Sequence, residues 1–248
     1  MPVAALYDIH GNLPALEAVL ADLQQTNVDT IVVGGDVLPG PMPQKTLHCL
    51  LHSGVPVQFI HGNGDRESLA ALRSEISSAV PEQFREVLRW SAHQLDADQV
   101  KFITSWPLTL QMTIDGLGEV LFCHATPRND TEIFSATTPE SKLLPIFEGL
   151  PASVVICGHT HMQFDRMVGK TRVVNAGSVG MPFGEPGACW LLLGPEISLR
   201  RTTYDLHQAA DRVRATAYPQ AQDFAARNIL QVPAAAQILE MYKRAELS

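Results

Sequence analysis

A chain of 248 residues, 46% hydrophobic and 18% charged, carries enough apolar material for one large domain or two small ones. No segment supplies the ~20 continuous apolar residues of a membrane span. Eighteen Lys plus Arg against 26 Asp plus Glu leave a net charge of −8. Such a surface argues against a long nucleic-acid groove, because it repels phosphate backbones. A small anion is admitted only where bound cations reverse the local field.

The start, MPVAALYDIHGN, is short and lacks a basic flank. It reads as a first strand, not an export signal, and the cytoplasm is the expected location. Val3–Tyr7 is that strand, and Leu13–Gln25 follows with Leu16, Val19, Leu20 and Leu23 at helical spacing and Pro14 in the first turn. Thr30–Val33 is a β-branched strand, Gln44–Leu51 a helix, and Val55–Ile60 a third strand. Residues 66–106 lack strand runs and are expected to form a helical insertion: Glu67–Ser77, Pro81–Gln94 and Asp96–Ser105.

Thr109–Ile114 and Glu119–Cys123 flank Asp115-Gly116 as a hairpin, and Val154–Cys157 is a short strand. Gln163–Val168 with Arg172–Val174, and Ala188–Leu193 with Ile197–Thr203, are further hairpins. Residues 205–217, 220–229 and 234–245 look helical; they form a small appendage or pack against the core. The expected architecture is α/β (α+β): two mixed sheets packed as a sandwich and flanked by helices. A main domain over 1–203 carries the insertion 66–106 beside its site, and a helical extension covers 204–248. Cys49, Cys123, Cys157 and Cys189 form no CxxC pair, so reduced thiols are expected, with Cys123 and Cys157 in the core.

The chemistry gathers where the apolar runs end. AALY leads to Asp8, TIVVGG to Asp36, VQFIHG to Asn63, EVLFC to His124 and SVVICG to His159. Five strands thus end in residue types that bind metal, and ligand sites in open α/β sheets lie beyond the carboxyl ends of the strands. His10 and His161 each lie two positions further on. Gly35, Gly62 and Gly158 immediately precede Asp36, Asn63 and His159. A residue without Cβ lets the chain turn sharply and approach an ion closely.

The ordered set DxH, GD, GN, H and GHTH resembles the calcineurin-like metallophosphoesterase superfamily. DIHGNLPALEAVL, GGDVLPGP, GNGDRE, HATPR, GHTHMQFDR and NAGSVGMP are similar to its small bacterial and archaeal phosphodiesterase branch, over about Val3 to Pro182. The resemblance implies one metal held by Asp8, His10, Asp36 and His161. It implies a second held by Asp36, Asn63, His124 and His159, with Asp36 bridging ions ~3.5–4 Å apart. Asp36, Asn63 and His124 then belong to the reacting centre, where a metal-bridging hydroxide would attack phosphorus in line. Two divalent ions bring about +4, and two carboxylates with one hydroxide leave about +1, which draws phosphate into an acidic protein. Imidazole, carboxylate and amide donors favour Mn, Fe, Co, Ni or Zn over Ca. Family likeness also suggests a homodimer.

One departure bears on mechanism. Many superfamily members have His directly after the Asn of the GN motif, placed to protonate the leaving oxygen; here the residue is Gly64. The phosphodiesterase branch tolerates a non-His residue there. Asp65, His93 and Arg128 are nearby substitutes, and esters with low-pKa leaving groups are the expected substrates.

Arg66 and Arg128 follow ligand motifs, and either guanidinium can clamp phosphate or pair with acids such as Glu67 or Asp130. Arg128 is the one assigned to phosphate. Asn12 caps the next helix or orients a ligand; Asn175 and Ser178 suit support of the site. His48 and His52 suit a solvated helix face, His61 a place beside the ligands, and Trp90 and Trp106 the core.

The leading function is a phosphodiesterase acting on small phosphodiesters or nucleotides. The alternatives are a phosphomonoesterase, including a protein or dinucleoside polyphosphate phosphatase, and an inactive binding module of the same fold. The last predicts broken ligand positions, whereas all seven are intact.

Overall fold

Strand alternation in the first few residues sets up the whole architecture. The computed structural model describes residues 2–78 and 80–247. In β1 (Val3–Leu6), Ala4 and Leu6 join Leu16, Ile31, Val33 and Leu47 on one side. Val3, Ala5 and then Tyr7 join Val32, Val120, Phe122, Ile156 and Val174 on the other. Both faces are covered, which is why such strands read as unbroken apolar runs.

The first sheet places β1, β2 (Thr30–Val33) and β3 (Val57–Phe59) in parallel, with α1 (Leu13–Leu23) and α2 (Pro43–Leu51) as crossovers. β9 (Ala188–Leu193) and β10 (Ile197–Thr202) extend it antiparallel, giving the order β10-β9-β1-β2-β3. The second five-stranded sheet contains β4 (Thr109–Ile114), β5 (Gly118–Cys123), β6 (Val154–Cys157), β7 (Phe164–Val168) and β8 (Thr171–Asn175) in the order β4-β5-β6-β8-β7. The two mixed sheets face each other and helices cover the outer sides, as expected.

Two local differences have physical reasons. The later strands are not simply antiparallel, because β5, β6 and β8 pair in parallel. The crossover between β5 and β6 includes a helix that the sequence did not announce, α6 (Glu140–Phe147), whose periodicity is interrupted by Pro145. Its Leu143, Ile146 and Phe147 cover the outer face of the second sheet. The helix expected from Glu67 begins instead at Asn63, so α3 (Asn63–Leu72) carries a candidate ligand in its first turn.

α4 (Glu82–His93) and α5 (Ala97–Thr104) complete the insertion. At the end of the chain come α7 (Leu206–Arg214), α8 (Ala221–Phe224), a π-helical turn (Ala225–Leu230) and α9 (Ala235–Ala245). They are no loose appendage: Ala209, Val213, Tyr218, Phe224 and Ile229 share one core cluster with Leu13, Met42 and Val87. Trp106 stacks on Phe59 at 4.7 Å and Trp90 meets Tyr218 edge-on, so both tryptophans are packing residues. No helix among the described residues is long and apolar enough to cross a membrane.

Phe122 lies between the sheets with no exposure, whereas Leu199 on edge strand β10 is 41% exposed. Phe122→Ala is expected to cost about 3–5 kcal/mol and to lower Tm by about 10 °C. Leu199→Ala should stay within about 0.5 kcal/mol. Thermal unfolding of the two variants checks the contrast.

Candidate metal centre

Each loop that leaves the carboxyl end of a central strand delivers a polar side chain to one small volume. Asp8 and His10 follow β1, Asp36 follows β2, His124 follows β5, and His159 and His161 follow β6. Asn63 opens α3. Five of these seven residues lie in left-handed backbone: Asp8 (φ 53°), His10 (46°), Asp36 (54°), His159 (65°) and His161 (57°). Among the described residues, only Ser74 and Leu247 share that feature without being glycine. Such conformations cost roughly 1–3 kcal/mol each and persist only where the surroundings enforce them.

The enforcement is a lattice of hydrogen bonds between loops. His10 N–H donates to Asp36 O (2.9 Å), Gly158 N–H to His124 O (2.8 Å) and Gly180 N–H to Asp8 O (3.0 Å). Ser178 Oγ donates to Asp8 O at 2.7 Å. Asn175 Nδ2 donates to Gly158 O (2.6 Å) and Thr160 Oγ1 (3.0 Å), bracing the turn that carries His159 and His161. Asn12 follows the capping reading: its Oδ1 accepts Ala15 N–H at the start of α1, and its Nδ2 donates to Gly180 O. A Cβ at Gly62 would lie 2.1 Å from Asp36 Oδ1, and one at Gly158 2.5 Å from Asp8 Oδ2. Close approach explains the glycines before Asn63 and His159.

The side chains then converge. Asp8 Oδ2 accepts the His159 N–H at 2.9 Å. That turns Oδ1 inward, where it is buried and accepts no hydrogen bond among the described residues. Around Oδ1 stand the Nε2 atoms of His161 (3.3 Å), His10 (3.9 Å) and His124 (3.9 Å). Asp36 faces a histidine on each side, with Oδ2 3.6 Å from His10 Nε2 and Oδ1 3.5 Å from His124 Nε2. Asn63 Oδ1 lies 3.0 Å from His124 Nε2. In the opposite amide orientation the same end of Asn63 is 2.9 Å from His159 Nδ1.

The far nitrogen of every imidazole meets a backbone carbonyl: His10 Nδ1 at Pro39 O, His124 Nδ1 at Gly34 O, His161 Nδ1 at Met181 O and His159 Nε2 at Thr131 O. That network assigns the proton to the far nitrogen and the lone pair to the centre, the tautomer a metal ligand needs. Burial drives His10 and His159 down to about 3, so both are neutral at physiological pH. Burial and the neighbouring Asp8 push Asp36 up. A buried carboxylate oxygen without a donor, ringed by imidazole lone pairs, is a donor set that fits divalent cations. The sets Asp8–His10–His161 and Asp8–Asp36–His124 each bring their ligand atoms within 4.8 Å of one another.

The family model for the calcineurin-like phosphoesterase superfamily domain matches residues 1–194. The chain belongs to that superfamily. An uncharacterized protein of Methanocaldococcus jannaschii is 25% identical over 244 residues, covering 88% of this chain and 94% of the relative. A hypothetical protein of Pyrococcus horikoshii shares the fold at TM-score 0.79 and 20% identity, and a metallophosphoesterase of Sphaerobacter thermophilus at 0.72 and 23%. Each likeness covers 94% of this chain and 99% of that structure, so the shared fold extends past residue 194.

Within this superfamily the Gly64 departure has a steric cause. A Cβ there would meet Leu38 O at 2.4 Å, leaving no room for the histidine common after the GN asparagine. Of the substitutes considered, Asp65 is fully buried and accepts the N–H groups of Asp36 (2.7 Å), Leu38 (3.0 Å) and Gly62 (3.0 Å), which makes it a brace for the Asp36 loop. Burial beside Asp36 pushes its carboxyl up to about 7, while the N–H donors favour the charged form. His93 is exposed and its Nδ1 bonds Arg89 O. Arg128 is exposed and tied to Glu132. It lines a cavity of about 200 Å³ that His124 and Arg66 also line. Arg66 follows the ion-pair reading, bonded to Asp130 and Glu67.

A larger cleft of about 640 Å³ opens over His10, Asp36, Asn63, His159 and His161. α4 supplies one wall through Gln83, Phe84 and Val87, as the insertion was expected to do. Tyr218, Gln220, Asp223, Phe224, Arg227 and Asn228 supply another. Sequence reasoning missed this second wall. Only the proline and glutamine around Tyr218 hinted at a bend, and nothing local pointed to the cleft.

Two variants test the brace and the steric block. Asp65→Asn leaves one acceptor oxygen for three donors and should weaken Mn binding about 10–100-fold, read by calorimetric titration. Gly64→His should lower Tm and fail to raise phosphatase or diesterase turnover, because its Cβ displaces the Leu38 carbonyl.

Proposed function

We propose that this chain is a phosphodiesterase that hydrolyses small phosphodiesters or nucleotides at a two-metal centre. The observation that carries the proposal is the Asp36 carboxylate, whose two oxygens each face a different imidazole nitrogen, at 3.5 and 3.6 Å. That is the arrangement of a bridging ligand. Asp8, His10, Asp36 and His161 would hold one ion, and Asp36, Asn63, His124 and His159 the other. The donors suit Mn, Fe, Co, Ni or Zn. When bound, two such ions supply hydroxide near neutral pH and Lewis-acid stabilisation of the phosphoryl oxygens.

The chain's own groups do the rest. Carbonyl contacts fix each imidazole so that the site is formed before substrate arrives. The cleft of about 640 Å³ is larger than a phosphate group alone needs, which supports a substrate with a substituent beyond the phosphate. With Gly64 in place of a general acid, the leaving oxygen departs without a proton from that position. This favours leaving groups that are stable as anions, which diesters with aryl or nucleotide arms and polyphosphates supply. Arg128 would reach phosphate only by releasing Glu132, whose largely buried carboxylate also accepts from Thr126 Oγ1. The four cysteines are free thiols, which suits the reducing cytoplasm.

Purified protein loaded in turn with Mn, Ni, Co, Zn or Mg is to be assayed on nitrophenyl mono- and diesters. The diester should turn over fastest, and Asp36→Asn should reduce every activity by at least about a thousandfold. Faster turnover of the monoester would reassign the enzyme as a phosphomonoesterase. Substantial activity in Asp36→Asn would remove the bridging role. Across a series of aryl diesters, kcat should fall as leaving-group pKa rises, and a flat series would contradict the missing acid.

A further inference from the structure

We infer that the C-terminal wall makes the cleft a nucleotide site, in which Arg227 binds an anionic group remote from the metals and Phe84 carries a planar ring. The inference rests on the two-metal phosphodiesterase reading and names the substrate class for it. The superfamily match ends at residue 194, yet Tyr218–Asn228 forms part of the cleft lining. The cleft holds about 640 Å³, far more than a phosphate group fills. Recognition of the rest of the substrate can therefore draw on residues past the matched domain together with those of α4.

Arg227 is the one guanidinium or ammonium group on the cleft lining among the described residues. Every other arginine around the site is engaged: Arg66 by Asp130 and Arg128 by Glu132. Arg227 makes no ion pair or side-chain hydrogen bond among the described residues. Asp223, four residues earlier on the same helical segment, does not come within ion-pair distance. The π-helical register, closed by Gln231 N–H to Ala226 O at 2.9 Å, sets which residues face the cleft. A single π turn costs stability and recurs at functional sites. Here Ala225 and Ile229 are buried in the core beneath it, so the backbone of Arg227 is anchored while its side chain is free.

The remaining lining matches the other parts of a nucleotide. Phe84 lies on the lining and is 46% exposed, which leaves its ring available to stack on a planar one. Asp223, also on the lining, repels a bare anion but accepts hydroxyl hydrogen bonds, as a ribose offers. In a chain of net charge −8, an anionic arm needs a local cation, and Arg227 supplies one with bidentate geometry.

The test is equilibrium titration of ADP, used as its non-hydrolysable α,β-methylene analogue, and of inorganic phosphate into Mn-loaded wild type, Arg227→Ala, Arg227→Lys and Phe84→Ala. Wild type should bind ADP more tightly than phosphate. Arg227→Ala should weaken ADP about 10–100-fold and phosphate less than about threefold, with Tm unchanged; Arg227→Lys should recover part of the loss. Phe84→Ala should weaken ADP about tenfold. Equal weakening of ADP and phosphate, no change in ADP affinity, or no preference for ADP in wild type would overturn the inference. Diester turnover by the wild type tests the underlying two-metal reading separately, so failure of the nucleotide site is told apart from failure of that reading.

Discussion

Two carboxylates and four imidazoles point their lone pairs into one buried volume, and everything else in the molecule is arranged around that concentration of acceptors. Asp8 Oδ1 has three Nε2 atoms within 3.9 Å and no donor. A buried polar atom left like this is costly, and burial opposes protonation of His10 and His159, whereas Asp8 favours a proton on His161. Cations relieve the repulsion. The same demand accounts for the five residues in left-handed backbone, whose strain is tolerated because loop-to-loop hydrogen bonds hold them.

The sandwich supplies the rigidity. Strands β1, β2, β5 and β6 are packed into the cores of the two sheets, so the loops that leave them start from fixed points. Tyr7 ties the two halves together one residue before Asp8, its hydroxyl donating to Ile156 O across the sheets at 3.1 Å. Asp65, Asn175 and Ser178 then set the loops themselves. α9 adds a further brace: Tyr242 Oη donates to Thr160 O, between His159 and His161.

Much of this was legible in the sequence, because the signal is local. A strand that ends in Gly-Asp, Gly-Asn or Gly-His declares both its boundary and its chemistry, and three of the five strand ends read that way, while Asp8 and His124 directly follow the apolar runs at Tyr7 and Cys123. The hairpins at Asp115-Gly116 and Gly169-Lys170 were equally plain. What escaped depends on tertiary packing. Pro145 hid α6, and with it the parallel pairing of β5, β6 and β8. The second cleft wall was invisible because it is held in place by Ala209, Val213 and Phe224 sharing a core cluster with Leu13 and Val87, far away in the chain. Arg66 and Arg128 were ambiguous for a different reason: a guanidinium suits a phosphate and a carboxylate equally, and only coordinates show Asp130 and Glu132 beside them.

The most direct test of the central claim is anomalous diffraction from crystals grown with Mn. Two peaks about 3.5–4 Å apart, with Asp36 between them and the other six side chains around them, are the expected result. A single peak, or ions bound elsewhere while the seven side chains stay unliganded, would contradict it.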